Sequence, residues 1–264
     1  DDYAELSKDN PDLAPQLARR EGQTMLVVSA AVDRTNEAVH NQMKANMKWI
    51  QQVMEANDLE PAGPVRIITN EFGSEIYSFD VAQPVRRIAG SEEEGEENED
   101  VAAGEEQPAD DEQAEGAEGE EATEAEDVLP PEAIQDIEIA GELRGEKNPV
   151  EVVYSQPSLV AVVPFVGHMA NLEKVRDALR AWAMTRGYET AGRPYEEWLN
   201  GFDDGFTVDG HFNVFWTLKE KAGADVPTAR ELTAPIWDKI NAAEAAEEAE
   251  GEGEEGEEGD NAEG

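Results

Sequence analysis

"GYETAGRPYEEWLNGF" (residues 187–202) has a counterpart about 130 residues earlier, "DLEPAGPVRIITNEF" (residues 58–72). With Gly192 laid on Gly63, Ala191 falls on Ala62 and Glu189 on Glu60. After a slip of one residue, Pro194 falls on Pro64, Asn200 on Asn70 and Phe202 on Phe72. The matches concentrate at residues that shape a backbone. They predict a repeated unit with the same corner in each copy.

Working outward from the earlier phrase, "TMLVVSAAV" (24–32) is short, apolar and β-branched and reads as a strand. Val39, Met43, Ile50 and Met54 recur at helical spacing after Thr35 or Asn36 as a cap, and the helix closes near Asn57. "VRIITNEF" and "EIYSFDVAQPV" follow as strands, joined at Gly73-Ser74. The second copy keeps this order. "SLVAVVPFV" (158–166) is a buried-type strand, and Asn171 can cap a helix with the seam Leu172, Val175, Leu179 and Trp182, ending at Gly187. "YEEWLNGF" and "HFNVFWTLK" read as strands, the latter placing Phe212, Val214 and Trp216 on one face. The repeated phrase is thus the helix-to-strand corner of a duplicated βαββ unit. The glycine is expected to supply the tight turn there, and the proline to fix entry into the next strand.

The expected fold is α+β: two pseudo-symmetric βαββ units forming a curved antiparallel sheet with helices on one face. The divisions are an N-terminal extension over 1–23, the first unit over 24–90 and an acidic insert over 91–127. Linker strands and the second unit follow over 128–220, a C-terminal helix over 221–241 and an acidic tail over 242–264. "TARELTAPIWDKINAAEAAEEA" carries a capping box at Thr228 and Glu231.

The net charge of −42 is unevenly spread. Residues 91–127 hold 19 Asp/Glu and no Lys/Arg, and residues 242–264 hold 11 more, so the rest of the chain carries about −12. Both tracts lack the large apolar residues that would offset their ordering entropy and are expected to be disordered. As solvating bristles they would oppose aggregation; a sharper role would be capture of divalent cations or of a basic protein partner. Their glycines match no calcium-loop template.

With no cysteine, disulfides and Cys-based metal sites are excluded. His40, His168 and His211 have no second ligand at a recognised spacing, so no metal is expected. No phosphate-binding glycine loop, dinucleotide fingerprint or nucleophile elbow occurs, and no cofactor is expected. Basic patches are missing, which disfavours direct nucleic-acid binding. No apolar run reaches membrane-spanning length. The chain begins "DDYAEL" without Met, which leaves its compartment open: cytoplasmic, or anchored or periplasmic if an N-terminal segment was removed.

The run from "YSQPS" through "VAVVPFVGHMANLEKVRDALRAWAMTRGYETAGRPYEEWLNGF" resembles the second half of the GyrI-like domain, the fold also found as the effector-binding domain of AraC-type and MerR-type regulators. The first half resembles it through its order of elements and "AGP…FDVAQPV". In that family two SHS2-type units form a saddle with a ligand cleft between them. The resemblance implies a small-molecule ligand. It places Glu196 and Trp198 at the family's pocket carboxylate and aromatic, and Asp80 at an acidic strand position facing the cleft.

Alternation in "YEEWLN" sends Glu196, Trp198 and Asn200 to one face and Tyr195, Glu197 and Leu199 to the other. An aromatic floor with a buried carboxylate suits a flat or cationic organic ligand. Tyr195, Tyr77, Phe165, Phe215 and His168 complete the candidate set. Packing is the competing role for Trp198, Phe215, Trp216, Tyr77 and Phe165, solvation for Glu196 and Asp80, and an exposed turn for His168. Non-catalytic ligand binding is the leading expectation. The rivals are a GyrI-like hydrolase that opens strained rings, with Glu196 as acid or base, and a protein-interaction role such as gyrase inhibition.

Overall fold

The computed structural model describes residues 13–88, 133–134, 136–139, 142–143, 146–221 and 225–254. The acidic insert expected over 91–127, and residues 255–264 of the acidic tail, lie outside the described residues.

The elements run β1 (Gln16–Arg20), β2 (Gln23–Asp33), α1 (Asn36–Ala56), β3 (Leu59–Pro61), β4 (Val65–Phe72) and β5 (Ile76–Arg87). After the two short strands β6 (Glu142–Leu143) and β7 (Glu146–Lys147) come β8 (Glu151–Ser155), β9 (Ser158–Val166) and α2 (Leu172–Thr185). The chain continues through β10 (Thr190–Trp198), α3 (Gly201–Gly205), β11 (His211–Leu218) and α4 (Ala229–Glu254).

One antiparallel sheet is ordered β1-β9-β11-β10-β4-β5-β2-β8, with β3 on the end of β5. The two βαββ units meet where β4 pairs β10, and their outer strands are exchanged. β1 precedes β2 but pairs with β9, while β8 precedes β9 but pairs with β2. Each unit therefore lends its leading strand to the other's edge, which covers two edges that would otherwise present unpaired backbone. β1 falls inside the segment expected to be a mere N-terminal extension.

A shift of 129 residues superposes the helix ends. Asp58 and Gly187 both follow a helix C-cap with positive φ, 51° and 75°. At α2 the Tyr188 N–H reaches Ala183 O and the Gly187 N–H reaches Met184 O, the paired bonds that close a helix with a left-handed residue. Under the same shift Met43, Asn46, Ile50, Val53 and Met54 of α1 map onto Leu172, Val175, Leu179, Trp182 and Ala183 of α2, and all ten are buried.

The repeated Ala-Gly corner has a different basis from the one expected. Between Pro61 and Arg66 five steps of chain face three of β5, and between Thr190 and Pro194 four face two of β11. Both units loop out two residues at the same place, an insertion that bends a strand. Neither Gly63 nor Gly192 has positive φ. A Cβ on Gly63 would meet nothing, and one on Gly192 only an ordinary contact with Thr217.

Thr35 caps α1 through its hydroxyl, which accepts from the Ala38 N–H. At the second helix the cap differs from expectation. Asn171 makes no side-chain cap bond, and His168 Nδ1 accepts from the Ala170 N–H to cap the 3-10 turn leading into α2. The strand expected over 195–202 stops at Trp198, and its last two residues open α3.

α1 and α2 pack on one face over the main core, which includes Phe79, Val81, Ile67, Leu159, Val163, Phe212 and Val214. α4 packs on the opposite face, where Ala229 meets Val160, Val162 and Phe215. This burial on both faces explains why β9 reads as a continuous apolar run. The capping box forms as expected, the Thr228 N–H donating to the Glu231 carboxylate and the Glu231 N–H to the Thr228 hydroxyl. The helix then continues to Glu254, past residue 241, where it was expected to end, and into the segment expected to be a disordered acidic tail.

Candidate functional site

The two helices begin side by side, and between their N-terminal ends lies a small cleft of about 100 Å³. Its walls include Thr35, Asn36 and Val39 from the start of α1, Met169 and Ala170 from the 3-10 turn leading into α2, and Glu173 from the first turn of α2. Tyr77 of β5 and Arg176 of α2 close the bottom. Across the mouth, Arg34 Nη2 meets Glu173 Oε2 at 3.1 Å.

Beneath Arg176 stands Glu196, fully buried on β10. Arg176 Nε donates to one carboxylate oxygen and Nη2 to the other at 3.0 Å, a two-pronged pair. Burial opposes the guanidinium charge, but the attraction and hydrogen bonds of Glu196 outweigh it and hold the Arg176 pKa above its ordinary value. Tyr77, nearly inaccessible, has its phenol pushed up by burial and shares a 3.1 Å hydrogen bond with Thr69.

The carboxylate expected to read a cationic ligand is therefore already neutralised from within. The sequence reasoning missed Arg176, although a signal was present. Arg176 falls on the apolar stripe of α2 between Val175 and Leu179, where a charge needs a buried partner.

Trp198 lies two residues from Glu196 on the same face, only 3% exposed. Its ring meets Phe202, Phe206 and Phe212 at 4.9 to 5.7 Å, and its indole N–H is buried without an acceptor. Gly205 lies against that ring so closely that a Cβ there would approach Trp198 to 2.2 Å. Phe165 stacks on Phe212, and His168 meets Phe206 edge-on at 6.4 Å. Glu196, Trp198, Tyr77, Phe165 and His168 thus all belong to the helix-covered side.

Asp80, Tyr195 and Phe215 do not join them, which corrects the expectation that Asp80 faces the same cleft. Asp80 alternates with Phe79 and Val81, whose side chains fill the helix-side core, so its carboxylate emerges on the other face. There it accepts from Ser29 at 2.7 Å, Asn70 at 2.6 Å and Arg193 at 3.3 Å. Tyr195 and Phe215 stack on that same face, with centroids 4.8 Å apart and planes 9° from parallel.

Among the described residues no group of three or more His, Asp or Glu could hold a metal ion, and no helix is long and apolar enough to cross a membrane.

No family model and no curated protein matches the chain. Among solved structures the chain is similar to EcmrR in an EcmrR–DNA complex, at 11% identity and TM-score 0.49 over 83% of this chain and 63% of that one. The EcmrR C-terminal domain alone gives 10% identity and TM-score 0.47, over 78% of this chain and 98% of that one. A third likeness is to SAV2435 bound to tetraphenylphosphonium, at 8% identity and TM-score 0.37, over 78% and 93%. A hydrolase from Listeria innocua gives 7% identity and TM-score 0.43, over 81% and 98%. The chain spans 63% of the length of the EcmrR chain in the DNA complex. At these identities the likeness is one of fold and does not extend to ligand or chemistry.

Proposed function

We propose that the cleft between the N-terminal ends of α1 and α2 binds a small neutral organic molecule carrying a hydrogen-bond acceptor, without turning it over. The observation that carries this reading is the internally compensated charge at the cleft. Arg176 is paired with Glu196 at the bottom, and Arg34 with Glu173 at the mouth. A cationic ligand would have to displace a buried guanidinium from its carboxylate, and stranding one partner of such a pair costs about 3–5 kcal/mol. A carbonyl or ether oxygen needs no such exchange. It can accept from the helix N-termini, which carry partial positive charge.

The cleft is below the roughly 300 Å³ at which sites for organic ligands begin. A ligand of more than a few heavy atoms must part the helix ends. The exposed Arg34–Glu173 pair across the mouth offers little resistance, because such pairs contribute about 0–1 kcal/mol. Once parted, the buried Trp198 N–H is a donor in the same core still lacking an acceptor. Hydrolysis with Glu196 as acid or base has weaker support, since both its oxygens are engaged by Arg176. The tetraphenylphosphonium of SAV2435 makes a cationic ligand the natural comparison.

Calorimetric titration of the full chain with acetophenone and with tetraphenylphosphonium tests the reading. Acetophenone is expected to bind saturably and to lose binding in Ala170→Trp, which fills the mouth from an exposed position. Tighter binding of tetraphenylphosphonium than of acetophenone, lost in the same variant, would show that Glu196 releases Arg176 and that the site selects cations.

A further inference from the structure

The face of the sheet opposite the cleft holds a much larger cavity, about 780 Å³, bounded by the first turns of α4, the β3–β4 corner and β1. Its size falls in the range of sites for small organic ligands. In a chain of net charge −42, five of its lining residues are arginines: Arg19, Arg20, Arg66, Arg86 and Arg230.

The inner part holds two buried guanidiniums for one buried carboxylate. Arg20 and Arg66 have side chains only 11% and 5% exposed, and they share one buried carboxylate, Glu197. Arg20 Nη1 reaches it at 2.5 Å and Arg66 Nε at 3.4 Å, while Asn213 donates to its other oxygen at 3.2 Å. Gln23 Oε1 accepts from both guanidiniums. Arg66 Nη1 is left with the Met25 thioether at 3.3 Å, a weak acceptor for a strong donor. The two guanidiniums flank the Tyr195 ring at 5.9 and 5.7 Å, and that contact offsets only part of their mutual repulsion.

At the rim Arg19 and Arg86 pair with Glu220 and Glu60, and the Glu231 carboxylate is engaged in the α4 capping box. Glu21 attracts Arg20 from an exposed position at the edge, where water screens it. Two buried guanidiniums against one buried carboxylate, with a poorly served donor edge, lack one planar or tetrahedral oxyanion.

We propose that this cavity is a second ligand site, which takes a small organic anion with a carboxylate or phosphate head. The head sits against Arg66 and Arg20. The body lies along Trp237, whose indole N–H is fixed by Asn213 Oδ1 at 2.8 Å, and along Pro61 and Pro64 at the β3–β4 corner.

The test is calorimetric titration of the full chain with benzoate, phenyl phosphate and the neutral benzamide. At least one anion is expected to bind saturably and at least tenfold more tightly than benzamide, and whichever is tighter identifies the head group. Arg66→Gln should weaken that anion tenfold or more, and leaves Glu197 with Arg20 and Asn213. Should that variant fail to fold, exposed Arg230→Glu and Arg86→Glu together should weaken it severalfold. Ala170→Trp, which blocks the cleft on the other face, should leave the affinity unchanged. The proposal is overturned by no saturable heat with either anion, by equal binding of benzamide, by unchanged affinity in the arginine variants, or by loss of binding in Ala170→Trp.

Discussion

Glu196 lies directly across the β4–β10 ladder from Ile67, and each occupies the same position in its own unit. The pseudo-twofold axis passes between them, so one side of the axis carries a carboxylate where the other carries a methyl-rich side chain. Under the same shift Arg176 corresponds to half-buried Met47. On the helix-covered side of the dyad, the buried ion pair is where the second unit departs from the first. Arg176→Met alone, or Glu196→Ile alone, should therefore destabilise the protein by about 3–5 kcal/mol, since each leaves a buried charge unpaired. The double variant, which restores the first unit's residues, should recover most of that loss. Urea unfolding of the four proteins checks the cycle, and costs that simply add would mean the two side chains do not act as a pair.

Asp58 holds the left-handed position that Gly187 holds in the other unit. A side chain there costs about 1–2 kcal/mol, which aspartate partly recovers by local hydrogen bonding. Asp58→Gly removes the penalty but loosens the unfolded chain. The expected net gain is about 0.5–1 kcal/mol by denaturant unfolding. The reverse change, Gly187→Asp, should destabilise by a similar amount. A loss of stability in Asp58→Gly would show that its carboxylate holds the corner.

Much of the fold was legible because its signals are local. The stripes of α1 and α2, the apolar run of β9 and the Thr228–Glu231 box each depend on neighbours within a few residues. The exchange of β1 and β8 between units was not legible, because which edge a five-residue strand joins is a long-range choice that its own residues do not encode. The site divided along the same line. Alternation put Glu196 and Trp198 on one face correctly, and the same rule applied to β5 would have sent Asp80 away from Phe79 and Val81. The partner of Glu196 came from a helix 20 residues earlier, and only its unusual place on an apolar stripe hinted at it.

Tyr195 offers a pH-dependent readout of the face opposite the cleft. Burial, partly countered by Arg20, pushes its phenol up to about 12 from an ordinary value near 10. The folded-state pKa is raised, so this group's contribution is fully present below pH 10. It is lost as pH rises from 10 towards 12, where the unfolded chain ionises first. Ultraviolet titration of the folded protein should show late phenolate signal from Tyr77 and Tyr195, and Tyr195→Phe removes one tyrosine's share of it. The fall in stability above pH 10 should be shallower in that variant. A Tyr195 that ionises near the ordinary tyrosine value would show that water reaches the Arg20 side of the ring.

The mouth of the helix-side cleft is closed by Arg34 and Glu173, whose side chains are 39% and 53% exposed. At that exposure water screens the pair, and the side-chain entropy of holding it offsets much of the attraction. Arg34→Gln should lower stability by less than about 1 kcal/mol, a shift of a few degrees at most. Its larger effect should be local. Amide exchange should quicken over 36–39 and 169–173, where the two helix starts face each other, and stay unchanged in β9 and β11. If the ion pair is the latch, acetophenone should bind more tightly to this variant, because less of its binding energy is spent on parting the helices. Faster exchange without tighter binding would place the opening elsewhere. A stability loss of several kcal/mol would mean that the helix ends are held by more than a surface pair, and that the cleft is a closed part of the core.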